Sequence, residues 1–181
     1  MELWKGRPLD SQGRTEPEMR VYDLLDELGM EYWRTDHEAI ATMEGSRQID
    51  DVLEAVVCKN LFLCNKQQTA FYLLMLPGDK KFKTAEFSKL IGSTRLGFAP
   101  PEKMTEFLDL YPGSVSVMGL MNDTGHRVQL VVDREVTQGE FIGCHPCVNT
   151  SSLKLRTDEL FEKFLPAVEH SPIYVSLSRD D

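Results

Sequence analysis

Lys59 and Asn60 form a polar pair inside an otherwise apolar segment, residues 56–64. An ammonium group in such a segment must reach solvent, find a partner or bind a ligand. Its compact charge suits a phosphate or a ligand carboxylate, and Asn60 could bind a substrate carbonyl or the neighbouring backbone. A lysine at a strand end can also pack its stem while its head reaches water. The pair is therefore a candidate site with a purely structural alternative.

His145 lies in a second polar segment, residues 143–150, beside Pro146 and close to Asn149. It could orient water, donate to a developing oxyanion or bind a sugar, or it could be a hydrogen-bonded structural histidine. Cys144 and Cys147 flank it with the C-x-x-C spacing of half a zinc site or of a redox pair. Neighbours in sequence rarely have the geometry of a nucleophile and its base, so a thiol nucleophile is a minor alternative.

Residues 112–116 contain Gly113, which permits close backbone approach, followed by Ser114 and Ser116. Their hydroxyl and amide groups could line an oxyanion pocket. Arg95 is a candidate clamp for a phosphate or carboxylate, with a surface salt bridge as the alternative. The sequence contains no P-loop, dinucleotide fingerprint, paired metal motif or G-x-S-x-G elbow. Cys58 and Cys64 are not spaced as a second zinc knuckle, so we expect no metal.

The elements that must position these residues are predicted from periodicity and capping signals. Helices are predicted at residues 16–28, 85–91, 101–108 and 158–164, and strands at 31–35, 56–64, 70–76, 96–99, 114–117, 128–132, 152–155 and 173–177. The strands at 56–64 and 70–76, joined by a polar turn, are predicted to form a hairpin. Strand pairs with helices placed irregularly between them indicate a single α+β domain. We expect this domain to span residues 15–177, with a flexible N-terminus at 1–14 and a short tail at 178–181.

The net charge of −9 argues against broad binding of nucleic-acid backbone, and we expect no DNA partner. The charge is uneven, however, since residues 59–103 carry eight basic side chains against three acidic ones. A basic middle in an acidic chain favours local contact with an RNA end, although a solvated charged face is the alternative. No apolar run reaches the roughly 20 residues of a membrane span, and no signal-peptide pattern is present. We therefore expect a cytoplasmic protein with reduced cysteines and no membrane partner.

Five blocks in order carry a resemblance to a known family: residues 57–63, 96–99, 112–116, 122–123 and 145–150. Together they resemble the free-standing prolyl-tRNA editing proteins, the YbaK-like relatives of the insertion domain of bacterial prolyl-tRNA synthetase. The likeness covers residues 16–177. It implies a mixed, partly barrel-like sheet flanked by helices.

This resemblance also implies an activity, which is hydrolysis of the ester between a misattached amino acid, typically alanine, and the terminal adenosine of proline tRNA. The family uses no metal cofactor, so no cofactor is expected. Its essential lysine falls on Lys59, the adjoining asparagine on Asn60 and its histidine on His145. The glycine of its G-x-x-x-P block falls on Gly113, but Val117 stands at the proline position.

The roles that follow are hypotheses. Lys59 would bind the terminal phosphate or ribose, Asn60 and the backbone of residues 113–116 the ester carbonyl or ammonium, and His145 the ribose or water. Further substrate-binding candidates are Ser114, Ser116, Arg95, Asn149 and His37. The expected partner is the acceptor end of proline tRNA, with prolyl-tRNA synthetase as a second candidate.

Three alternatives stay open. The first is a deacylase for another mischarged tRNA, one that bears serine or cysteine. This alternative stays open because Val117 stands where the family has a proline. The second is a non-catalytic tRNA-binding or regulatory module. The third is a metal or redox protein built on the C-x-x-C pair.

Overall fold

The computed structural model describes residues 1–40 and 42–179 of the chain, so the last two residues of the expected tail lie outside it. The strands are β1 (Trp4–Lys5), β2 (Tyr32–Asp36), β3 (Lys59–Asn65), β4 (Phe71–Leu76), β5 (Leu96–Phe98), β6 (Val128–Asp133), β7 (Phe141–Cys144), β8 (Ser151–Arg156) and β9 (Ile173–Val175). The helices are α1 (Glu16–Glu27), α2 (Met43–Leu53), α3 (Thr84–Leu90), α4 (Pro101–Leu108), α5 (Thr157–Glu159) and α6 (Leu165–Ala167). A π-helical turn, Leu160–Phe164, joins α5 to α6, and 3₁₀ turns cover Val117–Asn122 and Arg134–Thr137.

The strands form two sheets. A four-stranded sheet has the order β1-β2-β8-β7 and is antiparallel throughout. A five-stranded sheet has the order β5-β3-β4-β6-β9, in which β6 runs parallel to both β4 and β9. The predicted α+β fold with a mixed sheet is confirmed, and so is the hairpin of β3 and β4. The first 14 residues, expected to be flexible, include β1, which pairs with β2.

Residues 56–58 join the two sheets. Val57 forms an isolated parallel bridge with Gly143, the Cys58 amide donates to the Gly143 carbonyl at 3.0 Å, and the Gly143 amide donates to the Val56 carbonyl at 3.0 Å. A Cβ atom on Gly143 would lie 2.9 Å from the Val57 Cα, which no side chain tolerates, so glycine is required there. The bridge makes the fold partly barrel-like, and it places the start of β3 beside the end of β7.

Apolar clusters cover both faces of the five-stranded sheet because side chains alternate along β3. Phe62 packs in the larger cluster, where its ring lies 5.8 Å from that of Phe71. The next residue, Leu63, packs in the smaller cluster with Phe87 of α3. Burial on both faces explains why β3 and β4 are nearly continuous apolar segments.

The predicted strand at 114–117 is wrong. Ser116 instead caps the 3₁₀ turn that starts at Val117, with its side-chain oxygen accepting from the Met118 amide at 3.1 Å. The cap satisfies an amide that a strand would have paired with a neighbour. Val117 is fully buried in the larger cluster.

Candidate active site

A small cavity of about 180 Å³ brings together several of the residues singled out in the sequence. Its lining consists of Ile40, Ser46, Ile49, Val57, Gly113, His145, Asn149 and Ser152. The side chains come from three separated segments of the chain and include one imidazole, one amide and two hydroxyls. We call this space the His145 cavity.

The loop that carries His145 is held against residues 113–116. The Ser116 hydroxyl donates to the His145 carbonyl at 2.5 Å. Gly113 has φ of +90°, a left-handed conformation that favours glycine, and the position of its missing Cβ lies 3.4 Å from the Asn149 amide nitrogen. The Ser114 hydroxyl is used inside its own turn, donating to the Tyr111 carbonyl at 2.8 Å. Both serine side chains therefore support the loop instead of facing the cavity.

The protonation state of His145 follows from its hydrogen bonds. Its Nδ1 lies 3.0 Å from the Ser151 carbonyl, which can only accept, so Nδ1 carries the proton in the neutral ring. Its Nε2 has no protein partner within the described part of the chain and is left as an acceptor. Burial lowers the pKa of His145, and the nearby His37 lowers it further. The hydrogen bond to the Ser151 carbonyl raises the pKa, but the net shift is downward. At neutral pH His145 is an uncharged imidazole with a free basic nitrogen.

His37 lies next to this imidazole, with the two ring centroids 6.4 Å apart. Its Nδ1 donates to the Glu38 carbonyl at 2.8 Å, and its Nε2 accepts from the Ser152 hydroxyl at 2.9 Å. The Ser152 oxygen is itself 3.4 Å from Nδ1 of His145. The structure thus places the candidates His37, Gly113, Asn149 and His145 together.

A charged network fixes the strand from which the Ser151 carbonyl projects. Asp36 accepts from the Ser151 hydroxyl at 2.6 Å and from Arg14 at 3.0 Å, and it also contacts Arg34. Burial raises the pKa of Asp36, but these hydrogen bonds outweigh burial and hold the pKa below its ordinary value. Arg14 also contacts the buried Glu18 at 2.9 Å. None of these residues was singled out in the sequence, because the network joins segments more than 100 residues apart.

Lys59 opens onto a wider neighbouring cavity of about 710 Å³, which we call the Lys59 cavity. Its Nζ donates to the Lys80 carbonyl at 2.8 Å, so one of its three protons is committed. Ser46 and Val57 line both cavities, and Val57 is held by the bridge to Gly143. The two cavities are therefore neighbours that share a wall.

Asn60 carries a polar atom whose environment is unusual. Its Nδ2 donates to the Cys58 carbonyl at 3.1 Å, whereas its Oδ1 is buried and has no hydrogen-bond partner among residues 1–40 and 42–179. Buried acceptors in native proteins are nearly always satisfied. Asn60 lines neither the His145 cavity nor the wider cavity beside Lys59, so its role as a catalytic residue stays a prediction.

Arg95 is not part of this constellation. It lines a separate surface groove at the opposite end of β3, together with Lys66 and Phe98. Its role as a substrate-binding residue stays a prediction.

The cysteines do not supply a nucleophile. Burial raises the pKa of Cys58 and of Cys147 to about 12, and it raises the pKa of Cys144 further. A thiolate would be the reactive form, and it is scarce at neutral pH under these conditions. Across the described ranges, His, Cys, Asp and Glu side chains form no group of three or more that could hold a metal ion.

The geometry can be compared with known proteins. A family model described as an aminoacyl-tRNA editing domain matches residues 37–163. This range includes Lys59, Gly113 and His145. The chain belongs to the aminoacyl-tRNA editing domain family. The resemblance seen in the five sequence blocks is thereby confirmed, and membership makes the chain an aminoacyl-tRNA deacylase, a hydrolase.

The chain is similar to two relatives and, in its fold, to one solved structure. It is 32% identical over 147 residues to the prolyl-tRNA editing protein ProX of Acetoanaerobium sticklandii, with 81% of this chain and 89% of the relative covered. It is 31% identical over 156 residues to prolyl-tRNA synthetase associated domain-containing protein 1 of Danio rerio, with 85% and 84% covered. A crystal structure described as a candidate trans-editing enzyme for prolyl-tRNA synthetase has a TM-score of 0.63 at 14% identity over 91% of this chain and 99% of the other, which shows the fold alone.

Within residues 1–40 and 42–179, no helix combines the length and the apolar character needed to span a bilayer.

The lowered pKa of His145 predicts how deacylation depends on pH. If neutral His145 is needed, the enzyme-dependent rate is near its plateau at neutral pH and falls as pH drops through a midpoint below 6.5, because protonation then occupies Nε2. The measurement is the initial rate of ester loss between pH 4.5 and 8, with the rate in buffer subtracted at each pH. A midpoint above pH 7 would contradict the assignment.

Proposed function

We propose that the chain is a trans-editing deacylase that hydrolyses alanine from mischarged proline tRNA, in the cytoplasm where tRNA is charged. The observation that supports this most directly is that His145, whose Nε2 has no partner among the described residues, lines a cavity of about 180 Å³ beside a much wider one. The small cavity suits a small aminoacyl group, and the wide one suits the terminal nucleotide. The names of the relatives, which refer to prolyl-tRNA editing and prolyl-tRNA synthetase, support the choice of tRNA.

The reaction needs no protein nucleophile, because an aminoacyl ester is already activated. Water attacks the ester carbonyl and gives its proton to Nε2 of His145, forming a tetrahedral oxyanion. The C–O bond to the ribose then breaks, and the leaving ribose oxygen takes the proton back from His145. The products are the free amino acid and tRNA with an intact 3′ end. The backbone of residues 113–116 would donate to the oxyanion.

Lys59 has a place in this scheme because the Lys59 cavity adjoins the His145 cavity. Its ammonium group, oriented by the Lys80 carbonyl, would bind the phosphate or ribose of the terminal nucleotide.

Val117, at the family's proline position, is buried in the apolar core and is not part of the lining of the His145 cavity. The departure at Val117 therefore leaves the lining of this cavity unchanged, which supports the choice of alanine. Prolyl-tRNA synthetase, which would supply the mischarged tRNA, is the proposed protein partner.

A serine ester is the second candidate substrate. The His145 cavity includes the hydroxyl of Ser46 and the amide of Asn149, which could bind a seryl hydroxyl. A pocket of this kind discriminates weakly against an added hydroxyl, by about 10²-fold at most.

The test compares alanyl-, seryl-, cysteinyl- and prolyl-tRNA as substrates of the purified, chelator-treated protein. Loss of the alanyl ester is expected to be fastest, and the prolyl ester is expected to be cleaved at least about tenfold more slowly because the pocket excludes its ring. A preference for the seryl ester would instead support the second candidate. If no ester is lost faster than in buffer, the proposed function is wrong.

The same assay tests Lys59. Lys59→Ala should raise KM for alanyl-tRNA, whereas Lys163→Ala, which removes an exposed helical lysine paired with Glu159, should not. Unchanged kinetics of Lys59→Ala would remove Lys59 from the site while leaving the enzyme class intact.

A further inference from the structure

Asp50 is a carboxylate at the wall that the two cavities share. It belongs to α2, in which Ser46 lines both cavities, Ile49 lines the His145 cavity and Asp50 lines the Lys59 cavity. Ser46 and Asp50 are four residues apart, so they stand on one face of the helix. The Asp50 Oδ1 accepts from the amide of Val57, which also lines both cavities, at 3.0 Å. The carboxylate is thereby fixed beside the junction of the two cavities.

Asp50 differs from the other two carboxylates of the Lys59 cavity, because both of those are paired with basic side chains. Asp79 contacts Arg179 at 3.3 Å. Glu135 contacts Arg179 at 3.0 Å and also contacts Lys80. Asp50 takes part in no salt bridge among residues 1–40 and 42–179. Its negative charge therefore faces the cavity without a counterion from the described part of the chain.

The surroundings of Asp50 favour a bound cation. Burial raises the pKa of its carboxyl group, the hydrogen bond from the Val57 amide lowers it, and the adjacent Asp51 raises it, with a net upward shift. A carboxylate that has lost part of its hydration and lies next to a like charge is stabilised in its ionised form by a nearby positive group. A ligand that carries a cation at this position would supply that group.

An aminoacyl ester carries one such cation, the α-ammonium group, on the carbon atom next to the ester carbonyl. In the proposed function the amino-acid side chain occupies the His145 cavity and the terminal nucleotide occupies the Lys59 cavity. The ester and its α-carbon then lie at the junction of the cavities, where Asp50 is fixed. Hydrogen bonds between an ammonium group and a carboxylate are among the strong ones in proteins.

We propose that Asp50 binds the α-ammonium group of the aminoacyl ester and so makes the enzyme selective for α-amino esters. This inference rests on the proposed function, because it uses the same substrate and the same two cavities. Asp50 exchanges no proton with the ester in this scheme. It orients the α-carbon, so that the ester carbonyl is presented to the water beside His145.

The experiment compares alanyl-tRNA with lactyl-tRNA, in which a hydroxyl group of nearly the same size replaces the ammonium group. Each kcat/KM is divided by the rate of ester loss in buffer, because the ammonium group also activates the ester itself. On this scale the wild type is expected to prefer alanyl-tRNA. Asp50→Asn keeps an acceptor for the Val57 amide but removes the charge. It should lower kcat/KM for alanyl-tRNA about 10- to 100-fold, the equivalent of one hydrogen bond to a charged group, and leave lactyl-tRNA within about twofold.

Asp51→Asn is the matched control, because Asp51 is the next residue of α2, is exposed and lines neither cavity. It should retain the wild-type kcat/KM for both esters. Thermal unfolding of each variant checks that it is folded. The proposal is overturned if Asp50→Asn lowers kcat/KM for both esters by the same factor, which indicates a structural role. It is also overturned if Asp50→Asn behaves as Asp51→Asn does.

Binding of amide analogues separates this inference from hydrolysis. The probes are proline tRNAs that carry alanine or lactic acid through a 3′-amide in place of the ester, and fluorescence anisotropy measures their Kd. The wild type should bind the alanyl amide more tightly than the lactyl amide, and Asp50→Asn should lose that difference. If this result is obtained but no ester is hydrolysed, the proposed function is wrong and the role of Asp50 stands. If the alanyl ester is hydrolysed but the wild type binds both amides equally, the role of Asp50 is overturned and the proposed function stands.

Discussion

Replacement of His145 by asparagine is expected to lower the rate constant for deacylation by about 10²- to 10⁴-fold, the usual contribution of a positioned general base. The side-chain amide of asparagine can still donate to the Ser151 carbonyl, which His145 contacts at 3.0 Å. It offers no basic nitrogen in place of Nε2. The variant thus separates the chemical role of the imidazole from its role in holding the loop.

The rate is measured under single-turnover conditions, so that product release does not mask the chemical step. His126→Asn is the matched control, because His126 is a half-exposed histidine that does not line the His145 cavity. It should retain the wild-type rate. In His145→Asn the acidic step of the pH profile should also disappear. A His145→Asn enzyme that is folded and works within about twofold of the wild type would exclude His145 as the base.

Local signals were enough to predict most of the fold. Thr15 does accept from the Glu18 amide at 3.2 Å as the N-cap of α1, and Pro101 does begin α4. The hairpin of β3 and β4 was predicted because both strands are buried on both faces and the turn between them is polar. Where the pattern was weak, prediction failed. The helix α2 and the short strand β7 were missed, because α2 has few buried apolar residues and β7 has only four residues.

The site was predictable only as separate pieces. The spacing of Lys59, Gly113 and His145 along the chain says nothing about which of them meet, and the bridge between Val57 and Gly143 determines that they lie around adjoining cavities. Ser116 was predicted to line the pocket. Its hydroxyl instead donates to the His145 carbonyl and accepts from the Met118 amide as the cap of a 3₁₀ turn.

The basic segment 59–103 shows why charge counting has limits. Lys80 was counted among its eight basic residues, yet its side chain is only 1% exposed. It donates to Asp133 at 2.7 Å and to the Leu177 carbonyl at 2.8 Å, and it also contacts Glu135. Such partners lie 50 to 100 residues away in the sequence, so the segment alone cannot reveal them. The positive surface is therefore smaller than composition suggests, and the exposed Lys66 and Arg95 are part of what remains.

Replacement of Lys80 by methionine is expected to lower the free energy of unfolding at pH 8 by about 3–5 kcal/mol, because it leaves the Asp133 carboxylate buried without its partner. Asp133 is itself 1% exposed. Burial lowers the pKa of Lys80, but the hydrogen bonds to Asp133 and Glu135 more than offset it and raise the pKa above its ordinary value. The lysine is therefore charged in the folded protein, and its removal uncovers a full negative charge. Urea unfolding followed by circular dichroism measures the loss.

The pH dependence of this loss distinguishes a buried charge from a packing defect. In Lys80→Met the isolated Asp133 should have a raised pKa in the folded state, so the folded variant binds a proton that the unfolded chain releases. The bound proton stabilises the folded variant at low pH, and this stabilisation is lost as pH rises through the raised pKa. The difference in free energy of unfolding between the wild type and Lys80→Met should therefore be smaller at pH 5 than at pH 8. Adding Asp133→Asn removes the charge while keeping an acceptor for the Glu135 amide, and the double variant should be more stable than Lys80→Met at pH 8. If the difference in free energy of unfolding from the wild type is equal at pH 5 and pH 8 and is unchanged in the double variant, packing and not the unpaired carboxylate causes the loss.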